Sequence, residues 1–168
     1  MRRLFMVAAA VVVLGSASAA QAQTVRLAAN LSATNEIPPR NANDVPLAGI
    51  VSGAFGTATV TVDMAAQTVS WSIDVFNMPS GTTNAHFHVG GPGVVGPTVV
   101  NIAFPAGISN DYNLSGSATP ANLTVRGDQG IRSWEDFIQS LLGGQTYLNI
   151  HSAVNPGGEI RGQVLRVQ

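Results

Sequence analysis

The sequence predicts an all-β fold: an antiparallel β-sandwich or barrel, immunoglobulin-like or Greek-key, with one short helix. Three observations support this fold class. Apolar and polar residues alternate through much of the chain, clusters of Gly and Pro separate the alternating stretches, and one segment has helical periodicity instead. The chain contains no cysteine, so we expect its core to form without disulfide bonds.

The first residues have the pattern of a secretory signal peptide, residues 1–22. Met1-Arg2-Arg3 is positively charged, residues 4–14 are apolar, and Ala20-Gln21-Ala22 is an A-x-A cleavage site. The apolar run is shorter than the roughly 20 residues that a membrane-spanning helix needs. The sequence therefore predicts an exported protein, periplasmic or secreted, with residues 23–168 as a single β domain that does not span a membrane.

Strands are predicted where apolar residues recur with a period of two. Residues 25–31 and 69–75 show this most clearly, since every odd-numbered residue in them is apolar. The further candidates are residues 52–63, 85–89, 98–104, 122–126, 147–151 and 159–167. Turns are predicted at the Gly and Pro clusters of residues 38–39, 78–81, 90–93 and 155–158.

A short helix is predicted near residues 133–142. Ser133 and Asp136 have the spacing of a capping box, and Gly143 is a suitable C-terminal stop. Apolar residues follow at helical spacing and form one stripe, which comprises Trp134, Phe137, Ile138, Leu141 and Leu142. We expect this stripe to cover one end of the β-structure.

All three histidines of the chain lie in two strand-like segments. His86 and His88 are two residues apart, so their side chains point to the same face, and Phe87 points to the other. In the second segment, residues 147–151, the core face belongs to Leu148 and Ile150. The polar face of that segment then carries Tyr147, Asn149 and His151.

This phase leaves two hypotheses open for the histidines. If the two strands are neighbours, His86, His88 and His151 converge, with Glu159 as a candidate fourth ligand or supporting partner. Neutral imidazoles bind Zn²⁺ and Cu²⁺, and three of them suffice for a site with an open position. Alternatively, the same side chains form a hydrogen-bonded network with Asn149, Glu159 and Arg161, because buried polar groups need partners.

Other classes of function have little support in the sequence. The net charge is −1 at pH 7 and there is no basic stripe, which argues against a nucleic-acid partner. The chain has neither a cysteine nor a G-x-S-x-G motif for nucleophilic catalysis. Gly90-Gly91-Pro92-Gly93 lacks a phosphate-binding lysine and is predicted to be a turn.

Three motifs make the chain resemble the chordin-type (CHRD) domain family. They are Asn35-Glu36-Ile37-Pro38-Pro39, Ala85-His86-Phe87-His88-Val89-Gly90, and Tyr147-Leu148-Asn149-Ile150-His151 followed by Asn155-Pro156-Gly157-Gly158-Glu159-Ile160-Arg161-Gly162-Gln163. The resemblance implies an extracellular or periplasmic β-sandwich or barrel and assigns no activity. The His-x-His strand with a distant third histidine is also locally similar to Cu,Zn superoxide dismutases, whose fourth copper-site histidine and disulfide have no counterparts here.

The sequence is therefore compatible with three functions. The first is a non-catalytic binding or structural module of the cell envelope, whose partner is an unknown protein or small ligand. In it, Glu36, Asn149, Glu159 and Arg161 are mainly architectural. The second is a Cu- or Zn-binding protein that uses His86, His88, His151 and Glu159. The third is a superoxide-dismutase-like metalloenzyme that uses the same site.

Overall fold

The computed structural model describes residues 24–167. Its strands, in chain order, are β1 (Thr24–Ser32), β2 (Phe55–Asp63), β3 (Thr68–Met78), β4 (Thr82–Val89), β5 (Thr98–Asn101), β6 (Asn110–Ala118), β7 (Thr146–Ser152), β8 (Ile160–Gln163) and β9 (Leu165–Arg166). The helix α1 (Trp134–Leu142) precedes β7. The signal peptide predicted for residues 1–22 lies outside the described residues and stays a prediction.

The strands form one antiparallel sheet that curls into a nearly closed, barrel-like shape. Its order is β5-β4-β7-β8-β1-β2-β3-β6, and β9 adds a short pairing to β1. The all-β prediction is thus confirmed, in its barrel-like form. The order places β4 directly beside β7, although more than 50 residues separate them in the sequence.

The predicted alternation positions the core. The apolar residues of β3 that were expected to face inward, Val69, Trp71, Ile73 and Val75, are all buried, while the polar residues between them are exposed. The same holds for Leu27, Ala29 and Leu31 in β1. Because strand side chains alternate between faces, this phase divides β1 and β3 into a core side and an outer side.

Helix α1 begins and ends as predicted. The Ser133 hydroxyl accepts a hydrogen bond from the Asp136 backbone N–H, and the Asp136 carboxylate accepts one from the Ser133 N–H, which completes the capping box. Trp134, Phe137, Ile138 and Leu141 are buried in the core, whereas Leu142 is half-buried. Phe137 packs edge-to-face on Phe87 of β4, so the helix supports the strand that carries two histidines.

One strand prediction was wrong, and one strand was missed. Residues 122–126 are not a strand: Pro120–Asn122 is a 3-10 turn, and Arg126 forms only an isolated bridge with Ile131. The strand β6 was missed, because its sequence, NDYNLSGSA, is mostly polar. It is an edge strand beside β3 that buries only Leu114 and Ala118, so little apolar periodicity is required of it.

Two further strands are shorter than predicted. The stretch 98–104 forms a strand only over β5, and residues 159–167 are divided into β8 and β9 around Val164. Within residues 24–167, no helix combines the length and the apolar character that crossing a membrane requires.

Candidate metal centre

The histidines lie on two strands that pair along their whole length. In the register of β4 and β7, His86 faces Asn149, His88 faces Tyr147, and Asn84 faces His151. The intervening residues Phe87, Leu148 and Ile150 are fully buried in the core. The predicted phase is therefore correct, and it leaves all three imidazoles on the opposite side of the sheet.

The three imidazoles, hereafter the three-histidine cluster, lie within reach of one another. The ring centroid of His86 lies 5.3 Å from that of His88 and 5.1 Å from that of His151. The centroids of His88 and His151 are 6.3 Å apart. One nitrogen from each ring lies within 4.8 Å of the others. Nitrogens bound to one tetrahedral Zn²⁺ are about 3.4 Å apart, so small side-chain rotations would bring these onto one ion.

Backbone carbonyls orient two of the rings. The Nδ1–H of His88 donates to the Gly96 carbonyl and that of His151 to the Pro156 carbonyl, each at 2.9 Å. With Nδ1 protonated, Nε2 of a neutral imidazole carries the free lone pair. Such a second hydrogen bond fixes the tautomer of metal-binding histidines in general.

Three of the four remaining ring nitrogens, one from each histidine, are buried and without partners. They are Nδ1 of His86, Nε2 of His88 and Nε2 of His151, and within the described part of the chain no hydrogen-bonding group satisfies them. Buried polar atoms are nearly always satisfied, so three unsatisfied ring nitrogens in one place require an explanation. A metal ion that accepts three lone pairs provides one.

Burial also keeps these rings neutral. It lowers the pKa of His86 to about 4, assisted by the nearby His151, and it lowers that of His88 to about 4 although the bond to Gly96 acts in the opposite direction. The pKa of His151 is lowered as well, again mainly by burial. The cluster therefore presents uncharged imidazoles at neutral pH, the form that binds metal.

A stack of three side chains supports His88. Tyr147 lies parallel to the His88 ring, and the Arg161 guanidinium carbon lies 3.4 Å from the centroid of the Tyr147 ring. Arg161 is 4% exposed and donates hydrogen bonds to the carbonyls of Gly91 and Val94. It thereby ties the loop before Gly96 to the sheet.

Glu159, the fourth candidate ligand, has a different environment. It lies outside the group of His, Asp and Glu side chains that approach one another closely in residues 24–167. Its Oε2 accepts hydrogen bonds from the Ser152 hydroxyl and the Asn155 amide, each at 2.6 Å. Glu159 is therefore hydrogen-bonded to Ser152 and Asn155, and not to the histidines, Asn149 or Arg161 with which the alternative hypothesis grouped it.

The cluster opens onto a cleft of about 570 Å³. It is lined by His88, His151, Tyr147, Asn149 and Arg161, by residues of the loop between β1 and β2, and by Val95. We refer to this space as the cleft. Its size is in the range of small-molecule sites.

Glu36, which was predicted to be mainly architectural, also lines the cleft. Its Oε1 accepts a hydrogen bond from the Asn149 amide at 2.7 Å. Burial raises the pKa of the Glu36 carboxyl to about 7, although Asn149 and Arg161 act to lower it. The proline pair after Glu36 marked a turn in the sequence, but nothing there indicated that this turn lies over β7.

A barrel-like antiparallel domain with three converging histidines on its outer face is the class that the fold and the site define. The sequence model of the CHRD domain matches residues 27–164. The chain belongs to the CHRD domain family. No curated protein and no solved structure matches it.

Proposed function

We propose that this CHRD domain is a non-catalytic metal-binding module of the cell envelope, with Cu²⁺ or Zn²⁺ held by His86, His88 and His151. One observation carries the proposal: three neutral imidazoles converge, and one buried ring nitrogen of each is unpartnered among the described residues. Three nitrogen ligands leave at least one coordination position open. Nitrogen-only ligation suits both ions, and the chain has no thiolate to favour another choice.

Isothermal titration of purified, chelator-treated protein with Zn²⁺ or Cu²⁺ tests this function. We expect one ion per chain in the wild type and a loss of at least about 100-fold in affinity in His88→Ala, because two nitrogens bind far less tightly than three. Asn84→Ala is the matched control, since Asn84 is exposed on the same strand and faces His151 in the register.

Metal titration distinguishes a metal-binding module from a purely structural one. A purely structural module would show no stoichiometric uptake, or uptake that His88→Ala leaves unchanged. Either result would exclude the three-histidine cluster as the metal site. Folding of each variant is checked by circular dichroism, so that a loss of structure is not mistaken for a loss of ligands.

Export is a separate part of the proposal and rests on residues 1–22. Their charged start, apolar stretch and A-x-A site have the order that signal peptidase substrates share. We expect fractionated host cells to contain the protein outside the cytoplasm, with an amino terminus at Gln23. Retention of an uncleaved chain in the cytoplasm would contradict export and would leave the metal site unaffected.

A further inference from the structure

We infer that Asn149 is the fourth ligand of the proposed metal site, with its side-chain oxygen Oδ1 bound to the ion that the three-histidine cluster holds. The inference rests on the proposed function, because it assigns the coordination position that three nitrogen ligands leave open. It turns an open site into a closed one, in which neither water nor a small ligand binds to the ion.

Asn149 lies in the middle of the polar face that carries the histidines. It faces His86 in the register of β4 and β7, and it is two residues before His151 on β7. Directly opposite side chains of antiparallel strands have Cβ atoms about 4.5–5.5 Å apart, and diagonal neighbours lie about 7–8 Å apart. His88 is such a diagonal neighbour of Asn149, since it faces Tyr147. All three histidines are therefore close neighbours of Asn149 on one face.

The Oδ1 atom of Asn149 lacks a hydrogen-bond partner. The side chain is 4% exposed, and no group in residues 24–167 bonds to this oxygen. The Nδ2–H of the same amide donates to the Glu36 carboxylate at 2.7 Å, which fixes the orientation of the planar group and leaves Oδ1 as an acceptor. A buried acceptor without a partner is costly, so this oxygen needs a partner that the described chain does not supply.

The two strands that flank β7 offer different neighbours to this oxygen. On β8, Arg161 faces Asn149 and carries several donors, but its hydrogen bonds go to the carbonyls of Gly91 and Val94. On β4, the facing residue is His86, whose Nδ1 is also buried and without a partner in the described chain. These two atoms do not hydrogen-bond to each other, and a cation between them would be a partner for both.

Four buried atoms without hydrogen-bond partners among the described residues thus lie on the same face of β4 and β7. They are Nδ1 of His86, Nε2 of His88, Nε2 of His151 and Oδ1 of Asn149. Three nitrogens and one oxygen complete a set of four ligands, the number that structural zinc sites share. An amide oxygen is a weak ligand, which takes the axial position at some trigonal copper sites. The set therefore suits both of the proposed ions.

A closed site agrees with a non-catalytic role. Catalytic zinc sites keep one position for water, whereas structural sites are four-coordinate and closed. The rings of His88 and His151 line the cleft, but the nitrogens left to bind an ion are buried. Asn149 lines the same cleft, so we expect removal of its side chain to open a coordination position toward it.

Azide titration of Co²⁺-loaded protein tests whether the fourth position is occupied. Co²⁺ replaces Zn²⁺ in such sites, and its visible absorption changes when azide coordinates to it. We expect azide to bind to Asn149→Ala at least about tenfold more tightly than to the wild type, because only the fraction of wild-type molecules with Oδ1 detached can accept it. Asn149→Asp keeps an oxygen at this position and should resist azide as the wild type does.

Calorimetric titration with Zn²⁺ gives a second measurement. Asn149→Ala should lower the affinity by about 10- to 100-fold, the range typical of groups that support a metal site. Asn84→Ala is the matched control, since Asn84 is exposed on the same face and lies opposite His151. It should keep both the Zn²⁺ affinity and the azide response of the wild type. Circular dichroism confirms that each variant is folded.

The outcomes separate this inference from the proposed function. If metal binds but azide binds equally well to the wild type and to Asn149→Ala, the inference is overturned and the three-histidine site stands. Equal Zn²⁺ affinities in Asn149→Ala and Asn84→Ala would overturn it as well. If the Asn149 variants do not fold, the wild type decides by itself, since a spectral change with azide shows an open position and its absence a closed one. If the wild type takes up no metal, both proposals fail.

Discussion

The imidazole of His88 stacks on the ring of Tyr147, with centroids 4.8 Å apart and planes 7° from parallel. Both side chains also contact Gly96: the His88 Nδ1–H donates to its carbonyl, and the Tyr147 hydroxyl lies 3.2 Å from its N and from its O. A loop residue thus aligns two neighbouring strands at the metal centre. This relationship makes the position of Gly96 decisive for the orientation of His88.

We expect Gly96→Ala to weaken metal binding by about 10- to 100-fold, the effect typical of lost supporting hydrogen bonds. A Cβ at this position would clash with the Val89 carbonyl oxygen, so the loop must move, and we expect the Gly96 carbonyl that orients His88 to be displaced with it. Calorimetric titration measures the affinity. Gly53→Ala is the control, since a Cβ there meets nothing within 4 Å, and equal affinities in the two variants would contradict the prediction.

The histidines should destabilise the metal-free fold in mild acid. The pKa of His86 and of His88 falls from an ordinary 6.5 to about 4 on folding, so the unfolded chain binds protons first as the pH drops. Their contribution to the free energy of unfolding therefore decreases between about pH 6.5 and pH 4 and is constant above and below that window. Urea unfolding of wild type and His86→Asn at several pH values isolates the effect. A difference that does not change with pH would refute it.

Glu36 should have the opposite pH dependence. Its folded pKa of about 7 lies above the ordinary 4.5, so its contribution to stability is full below pH 4.5 and is lost as the pH rises through 7. The difference in free energy of unfolding between metal-free Glu36→Gln and wild type should thus favour the variant more at pH 8 than at pH 5. The reason is that a buried glutamine, unlike a buried glutamate, does not ionise. Urea unfolding at the two pH values measures this. The prediction does not hold if the variant's gain is the same at both.

Phe87→Ala should reduce the free energy of unfolding by about 3–5 kcal/mol, since it empties a fully buried position. Phe87 packs edge-to-face against Trp71 and Phe137, and its backbone lies between the two histidines of β4. Phe55→Ala is the control, because Phe55 is 45% exposed and stacks only on Phe76 in the aromatic pairs of the described chain, so we expect about 1 kcal/mol. Equal losses in chemical denaturation would show that Phe87 is not a core anchor.

The parts of the structure that local chemistry controls were predicted correctly. Alternation in residues 69–75 predicted which side chains of β3 are buried, and Ser133 with Asp136 predicted where α1 begins. Edge strand β6 was missed because its sequence lacks this periodicity: a strand that packs few apolar side chains leaves little local signal.

The sequence by itself determined the phase of β3, β4 and β7, and with it that Phe87, Leu148 and Ile150 face the core while His86, His88 and His151 do not. Only the tertiary structure decided that β4 pairs with β7, that Glu36 reaches Asn149 from a distant loop, and that Glu159 bonds to Ser152 and Asn155. The physical reason is that the first property depends on residues close in the sequence and the second on residues far apart in it. A strand's phase follows from the period of its own residues, whereas its neighbours follow from how the whole sheet buries its apolar faces at once.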